Sequence, residues 1–120
     1  MANPFVHIEL NTTDTAKAKS FYGKLFDWQL VDMQIGGQTY TMIRVGEGTG
    51  GGIMKHPMPG QPSIWVPYVE VGDVKARTEK ARALGGTVIK DVTEVKDMGL
   101  FSIVLDPTGA VVGLWESRNK

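Results

Sequence analysis

Two histidines, His7 and His56, and a carboxylate at Glu9 are the side chains of this sequence best suited to chemistry. His7 and Glu9 sit two residues apart in a strictly alternating run, Phe5-Val6-His7-Ile8-Glu9-Leu10-Asn11. Alternation of period two is the signature of a strand, so His7, Glu9 and Asn11 share one face and Val6, Ile8 and Leu10 the other. An imidazole beside a carboxylate can shuttle a proton, anchor a polar ligand or supply two ligands to a metal. A catalytic divalent site needs about three protein ligands and an open position, and His56 is the candidate third, reaching back from a proline-rich segment.

Other spacings point elsewhere and fall short. Gly46-Glu47-Gly48-Thr49-Gly50-Gly51 has the G-x-G-x-x-G form, but Gly52-Ile53-Met54-Lys55-His56-Pro57 follows it rather than a helix. Without a helix N-terminus there is nothing to meet a pyrophosphate, so the segment reads as a loop. Asp106, before Pro107, reads as a turn residue rather than a base. Lys75, Arg77, Lys80 and Arg82, with Glu79 among them, read as the solvated face of a helix. The two histidines have no G-x-S-x-G elbow to serve, so no serine triad is legible.

The elements that must hold these groups follow from pattern. Phe5 to Asn11 is a strand, and Thr12-Thr13-Asp14 offers N-caps to a helix over Ala16 to Phe26 whose apolar stripe is Phe21, Tyr22, Leu25 and Phe26. Trp28 to Met33 and Gln38 to Val45 read as strands about a Gly36-Gly37 turn, and Ile53-Met54 as a short fourth. After His56-Pro57-Met58-Pro59-Gly60-Gln61-Pro62 the order returns: strand Ile64 to Val71, a helix capped by Asp73 and stopped after Leu84 by Gly85-Gly86, then strands Thr87 to Val92, Leu100 to Leu105 and Ala110 to Trp115. Asp14 and Asp73, like Leu25 and Leu84, are 59 positions apart, whereas Ile43 and Val104, like Ile53 and Leu114, are 61 apart. A two-residue insertion reconciles the offsets, and the chain reads as one domain, 1–120, of two strand-helix-strand-strand-strand modules: 5–55 and 63–116, joined by a linker at 56–62.

Composition narrows the classes. The 120 residues suffice for an unaided core. Cysteine is absent, which removes disulfides and thiolate chemistry and fits a reducing, cytoplasmic setting. Thirteen basic residues balance thirteen acidic ones, which argues against nucleic acid as a partner. The apolar runs are too short to span a membrane, and no signal peptide is evident. The 15 glycines exceed ordinary usage.

His7-Ile8-Glu9-Leu10, Asp14, Ser20-Phe21-Tyr22 and Leu25-Phe26-Asp27-Trp28 resemble the first module of the vicinal oxygen chelate superfamily, which includes glyoxalase I, bleomycin-resistance proteins and extradiol dioxygenases. Tyr68-Val69-Glu70-Val71-Gly72-Asp73-Val74 and Leu105-Asp106-Pro107-Thr108-Gly109 are similar to the opening and closing of its second module. The resemblance implies an α+β fold of two tandem βαβββ modules, a curved mixed sheet around a cavity with helices outside, and a homodimer. In the family's metalloenzymes the ligands come from the first and last strands of each module. His7 matches one such position; the others fall on Gly52, Val66 and Gly113. The resemblance therefore leaves His7 as the only retained ligand, and no metal cofactor is expected.

With faces fixed by those positions, the expected ligand-binding side chains are His7, Glu9, Met54, Val66, Tyr68, Val111 and Trp115. One imidazole, one carboxylate and a phenol in an aromatic remainder suit a small, partly aromatic molecule. The expected function is metal-free small-molecule binding. The alternative is a glyoxalase-like lyase or isomerase, either metal-dependent or using His7 or Glu9 as acid or base.

Overall fold

A computed structural model describes residues Ala2 to Arg118. Among them the elements run β1 (Phe5–Thr12), α1 (Thr15–Leu25), β2 (Gln29–Ile35), β3 (Gln38–Arg44), β4 (Gly51–Lys55), β5 (Ile64–Glu70), α2 (Val74–Ala83), β6 (Thr87–Val95), β7 (Gly99–Leu105) and β8 (Val111–Ser117). The βαβββ order occurs twice in an α+β chain, as the sequence predicts. Two compact units form, one from His7 to Val66, the other from the residues up to Val6 with those from Pro67 on. No helix among the described residues is long and apolar enough to cross a membrane.

In the first unit the strand order is β2-β3-β4-β1, with β4 and β1 parallel and the other pairs antiparallel. In the second it is β5-β8-β7-β6, again with one parallel pair, β5 and β8. The repeat is kept to the residue: Glu9 registers with Gly52, and Tyr68 with Gly113. Those pairs reproduce the offsets of 59 and 61 read from the sequence.

Each helix begins the same way. Asp14 Oδ1 accepts the Lys17 amide at 3.0 Å and Asp73 Oδ1 the Ala76 amide at 3.1 Å, so each carboxylate satisfies a first-turn donor. Helix α2 stops where Gly85 adopts φ of +95° and the Gly86 amide reaches back to Ala81 O at 2.8 Å.

Each helix covers one face of its own sheet. In the first unit Leu10, Ile43 and Ile53 form the core, with Ala18, Tyr22, Trp28, Leu30 and Val45 packed against them. In the second, Val71, Val74, Val104 and Leu114 do so, flanked by Val69, Ala81 and Val112 among others. Burying one such aliphatic side chain contributes about 1.5–3 kcal/mol. Thr78, at the α2 surface facing the sheet, is fully buried and bonds Val74 O and Ser102 Oγ, the latter at 2.8 Å.

Three expectations change. The apolar stripe of α1 is not its buried face: Phe21 and Leu25 are 59% and 54% exposed, and only Ala18 and Tyr22 of the helix pack on the core. Only one edge of a stripe about 140° wide rests on the sheet, through Tyr22. Strand β6 runs to Val95 rather than Val92, because irregularities at Val88/Lys90 and Lys90/Thr93 let it stay paired with β7. Strand β8 extends to Ser117, still paired with Gly99.

Candidate functional site

The sheet face opposite α1 carries a directed chain of polar side chains. His7 Nε2 lies 2.7 Å from the Tyr40 hydroxyl, which donates to Glu9 Oε2 at 2.8 Å. Asn11 Nδ2 donates to Glu9 Oε1 at 2.9 Å. Since the single hydroxyl hydrogen of Tyr40 goes to the carboxylate, the Tyr40 oxygen receives from His7, and the imidazole carries its proton on Nε2. Glu9 and Asn11 are only 9% and 4% exposed, whereas His7 and Tyr40 are half-buried, so the carboxylate end of the chain is buried and its imidazole end is partly accessible. A buried carboxylate is tolerable here because side chains donate to both of its oxygens.

Burial pushes the His7 pKa below its usual 6.5, and the negative charge of Glu9 opposes that shift without cancelling it. His7 is therefore mostly neutral at neutral pH, in keeping with its donating from Nε2.

Geometry explains how a residue of β3 reaches two residues of β1. Strand β4 lies between them, and the Tyr40 ring crosses it over Gly52, where a Cβ would overlap the ring. Met54, two residues on and registered with Asn11, stands half-buried on the same face. The first unit thus places His7, Glu9, Asn11 and Met54 on one face, with Tyr40 reaching across to His7 and Glu9.

The second unit repeats this construction with other chemistry. The Tyr68 ring lies over Gly113, again where a Cβ would overlap it, and meets Phe101 edge-on at 6.2 Å. Val111 and Trp115 flank Gly113 on that face, both half-buried. Trp115 Nε1 donates to Ser117 Oγ at 3.1 Å, and Ser117 Oγ donates to Glu70 Oε1 at 2.6 Å. Tyr68, Val111 and Trp115 therefore share one face of the second unit, with Glu70 and Ser117 extending it. Val66, 1% exposed, offers methyl groups alone.

The remaining candidates resolve simply. His56 Nδ1 accepts the Met58 amide at 3.1 Å, a bond within its own bend. Asp106 Oδ1 accepts the Thr108 hydroxyl and amide and the Ala110 amide; these bonds, the Thr108 hydroxyl first, hold its carboxyl below the usual range. Its work is to close the β7–β8 hairpin. The glycine loop leads into strand β4, not a helix, so no dinucleotide fold forms.

The residues do not fit the family's metal. Gly52 and Gly113 have no side chains to ligate, their space is taken by the Tyr40 and Tyr68 rings, and Val66 has no donor. Among the described residues no three His, Asp or Glu side chains gather in a way that could hold an ion.

Known proteins share this architecture. The chain is 38% identical over 118 residues to the Mycobacterium tuberculosis protein "Putative glyoxylase CFP32", covering 92% of this chain and 44% of that one. It is 26% identical over 122 residues to the "Anthracycline biosynthesis protein DauV" of a Streptomyces species, covering 89% and 44%. The chain thus spans less than half the length of these curated relatives. Among solved structures, hypothetical protein BH1468 of Bacillus halodurans superposes with a TM-score of 0.75 at 14% identity, over 100% of this chain and 98% of that one, a likeness of fold. The family profile described as Glyoxalase/Bleomycin resistance protein/Dioxygenase superfamily matches residues 5–114, and the chain belongs to that superfamily.

Proposed function

We propose that this chain binds a small, partly aromatic organic molecule without a metal ion, on the sheet face that carries His7, Tyr40 and Glu9. The observation that carries the reading is the Tyr40 ring seated over Gly52 and bonded to both His7 and Glu9. The space at a family metal-ligand position is filled by a phenol, and the surviving histidine is committed to a hydrogen-bond chain. Such a face combines fixed polar groups with a flat aromatic surface, the mixture that orients a small ligand. The aromatic face of the second unit, with Tyr68, Phe101 and Trp115, has the same character.

A thermal-shift screen of flat aromatic acids and phenols, run with and without a chelator, tests the reading. A ligand at about 100 times its Kd adds about 2.7 kcal/mol to stability, well within detection. Stabilisation that is insensitive to the chelator supports it; stabilisation that appears only on adding a divalent ion overturns it.

The direction of the His7–Tyr40–Glu9 chain favours one further reading, proton transfer in a lyase or isomerase. A proton taken up by the imidazole is passed to the phenol as the phenol passes its own to the carboxylate. If that is the function, Glu9→Gln retains ligand binding and abolishes exchange of ligand C–H hydrogens with deuterated solvent.

A further inference from the structure

The sheet face that carries Tyr40 ends, along β3, in a cation. Alternation puts Tyr40, Met42 and Arg44 on that face, at intervals of about 7 Å. The β2 residues in register with them are Met33, Val31 and Gln29, in that order. Met42 also registers with Gly52, so it stands beside the Tyr40 ring that fills the space over this glycine. Met33 is 37% exposed and Val31 and Met42 are half-buried, which leaves this floor accessible to a ligand. Thioethers pack favourably on flat rings and adapt to their outline, so the floor suits an aromatic group.

Charge decides which aromatic group. On this face of β1 to β4, alternation leaves two charged side chains among the described residues, Glu9 and Arg44; Asp32 and Lys55 fall on the opposite face. Glu9 is buried, and its two oxygens accept from Asn11 and Tyr40. Arg44 is exposed at the end of its strand, and its register partner Gln29 is neutral. Exposed Asp27 and Glu47 lie in the flanking loops, yet among the described residues no ion pair joins either of them to Arg44.

A guanidinium presents a planar fork that matches a carboxylate through two parallel hydrogen bonds. We infer that Arg44 selects aromatic carboxylates for this face, pairing with the acid while the ring lies on Met42 beside Tyr40. The inference deepens the ligand site proposed above and rests on it. An aryl acid fits the spacing, because one β3 step separates the apolar floor at Met42 from the cation at Arg44. A cationic ligand fits less well: it would set its charge against Arg44 and find the Glu9 carboxylate already bonded on both oxygens.

Calorimetric titration of naphthoate and of its neutral isostere naphthamide into the wild type and Arg44→Gln tests the inference. The wild type should bind the acid at least about tenfold more tightly than the amide, and in Arg44→Gln the two should bind within about twofold of each other. In the wild type the Arg44 Nε–H resonance should move on adding the acid and stay in place on adding the amide, a readout that needs no variant. Equal binding of the two probes by the wild type, or a preference that Arg44→Gln keeps, overturns the assignment to Arg44 and leaves the ligand face standing. Binding of neither probe overturns the ligand face itself, and this inference with it.

Discussion

Tyr40 and Glu9 lie on β3 and β1, with β4 between them, yet the Tyr40 hydroxyl donates to Glu9 Oε2 at 2.8 Å. The ring can cross only because Gly52 has no Cβ. Strand order, an otherwise ordinary glycine and a phenol thus combine to make a hydrogen-bonded platform.

Removing that hydroxyl tests the platform. Tyr40→Phe keeps the ring over Gly52 but leaves Glu9 with one donor fewer and His7 without its acceptor on this ring. A hydrogen bond to a charged group contributes about 1.5–3 kcal/mol, so urea denaturation should show a loss of that order. A change within a few tenths of a kcal/mol would mean that water replaces the phenol freely.

The glycine on the other repeat makes the complementary case. Gly113→Ala places a methyl group against the base of the Tyr68 ring, which cannot swing aside as a side-chain tip can. Overpacking of this kind costs about 1–3 kcal/mol. In the double variant with Tyr68→Ala the methyl has room, so a double-mutant cycle should show strong positive coupling. Strict additivity would place the strain elsewhere.

Acid should weaken the fold through His7. Its pKa is lowered in the folded chain, chiefly by burial and against the pull of Glu9, so the unfolded chain binds the proton more readily. The contribution is complete above the usual 6.5 and is lost as pH falls below it. Denaturation midpoints measured from about pH 7.5 to about pH 5.5 should fall, and His7→Gln should flatten that part of the profile. An unchanged slope in the variant would remove His7 from the account.

The helix caps supply a test of the repeat itself. Asp14→Ala and Asp73→Ala each remove one side-chain acceptor from a first-turn amide, at 3.0 and 3.1 Å, and each should cost about 1 kcal/mol. Because the caps lie in different units and share no partner, their effects should add. Guanidinium titration of the two single variants and the double variant would show a departure from additivity directly.

Much of this was legible in the chain. Alternation in β1 put His7, Glu9 and Asn11 on one face, and the offsets of 59 and 61 reappear as the registers Glu9–Gly52 and Tyr68–Gly113. Tyr40 was not found, because alternation gives the face of a residue but not how far its side chain leans across a neighbouring strand. The signal was present in Gly52 itself, whose missing side chain opens the path. Glu70 and Ser117 were missed for a simpler reason: each is one alternation step beyond a residue already assigned, Tyr68 and Trp115. Helix α1 misled because its stripe of large side chains is real but faces outward at Phe21 and Leu25. Hydrophobic periodicity marks a face without saying what covers it.

The account turns on a site built without a metal. Elemental analysis of the purified chain after exhaustive dialysis measures this most directly. The account predicts zinc, nickel, manganese and iron all far below stoichiometric, in the wild type and in Tyr40→Phe alike. Roughly one bound ion per chain, retained by the wild type and lost in His7→Ala, would contradict it, because about three protein donors would then have to gather around His7, where among the described residues no three His, Asp or Glu side chains do.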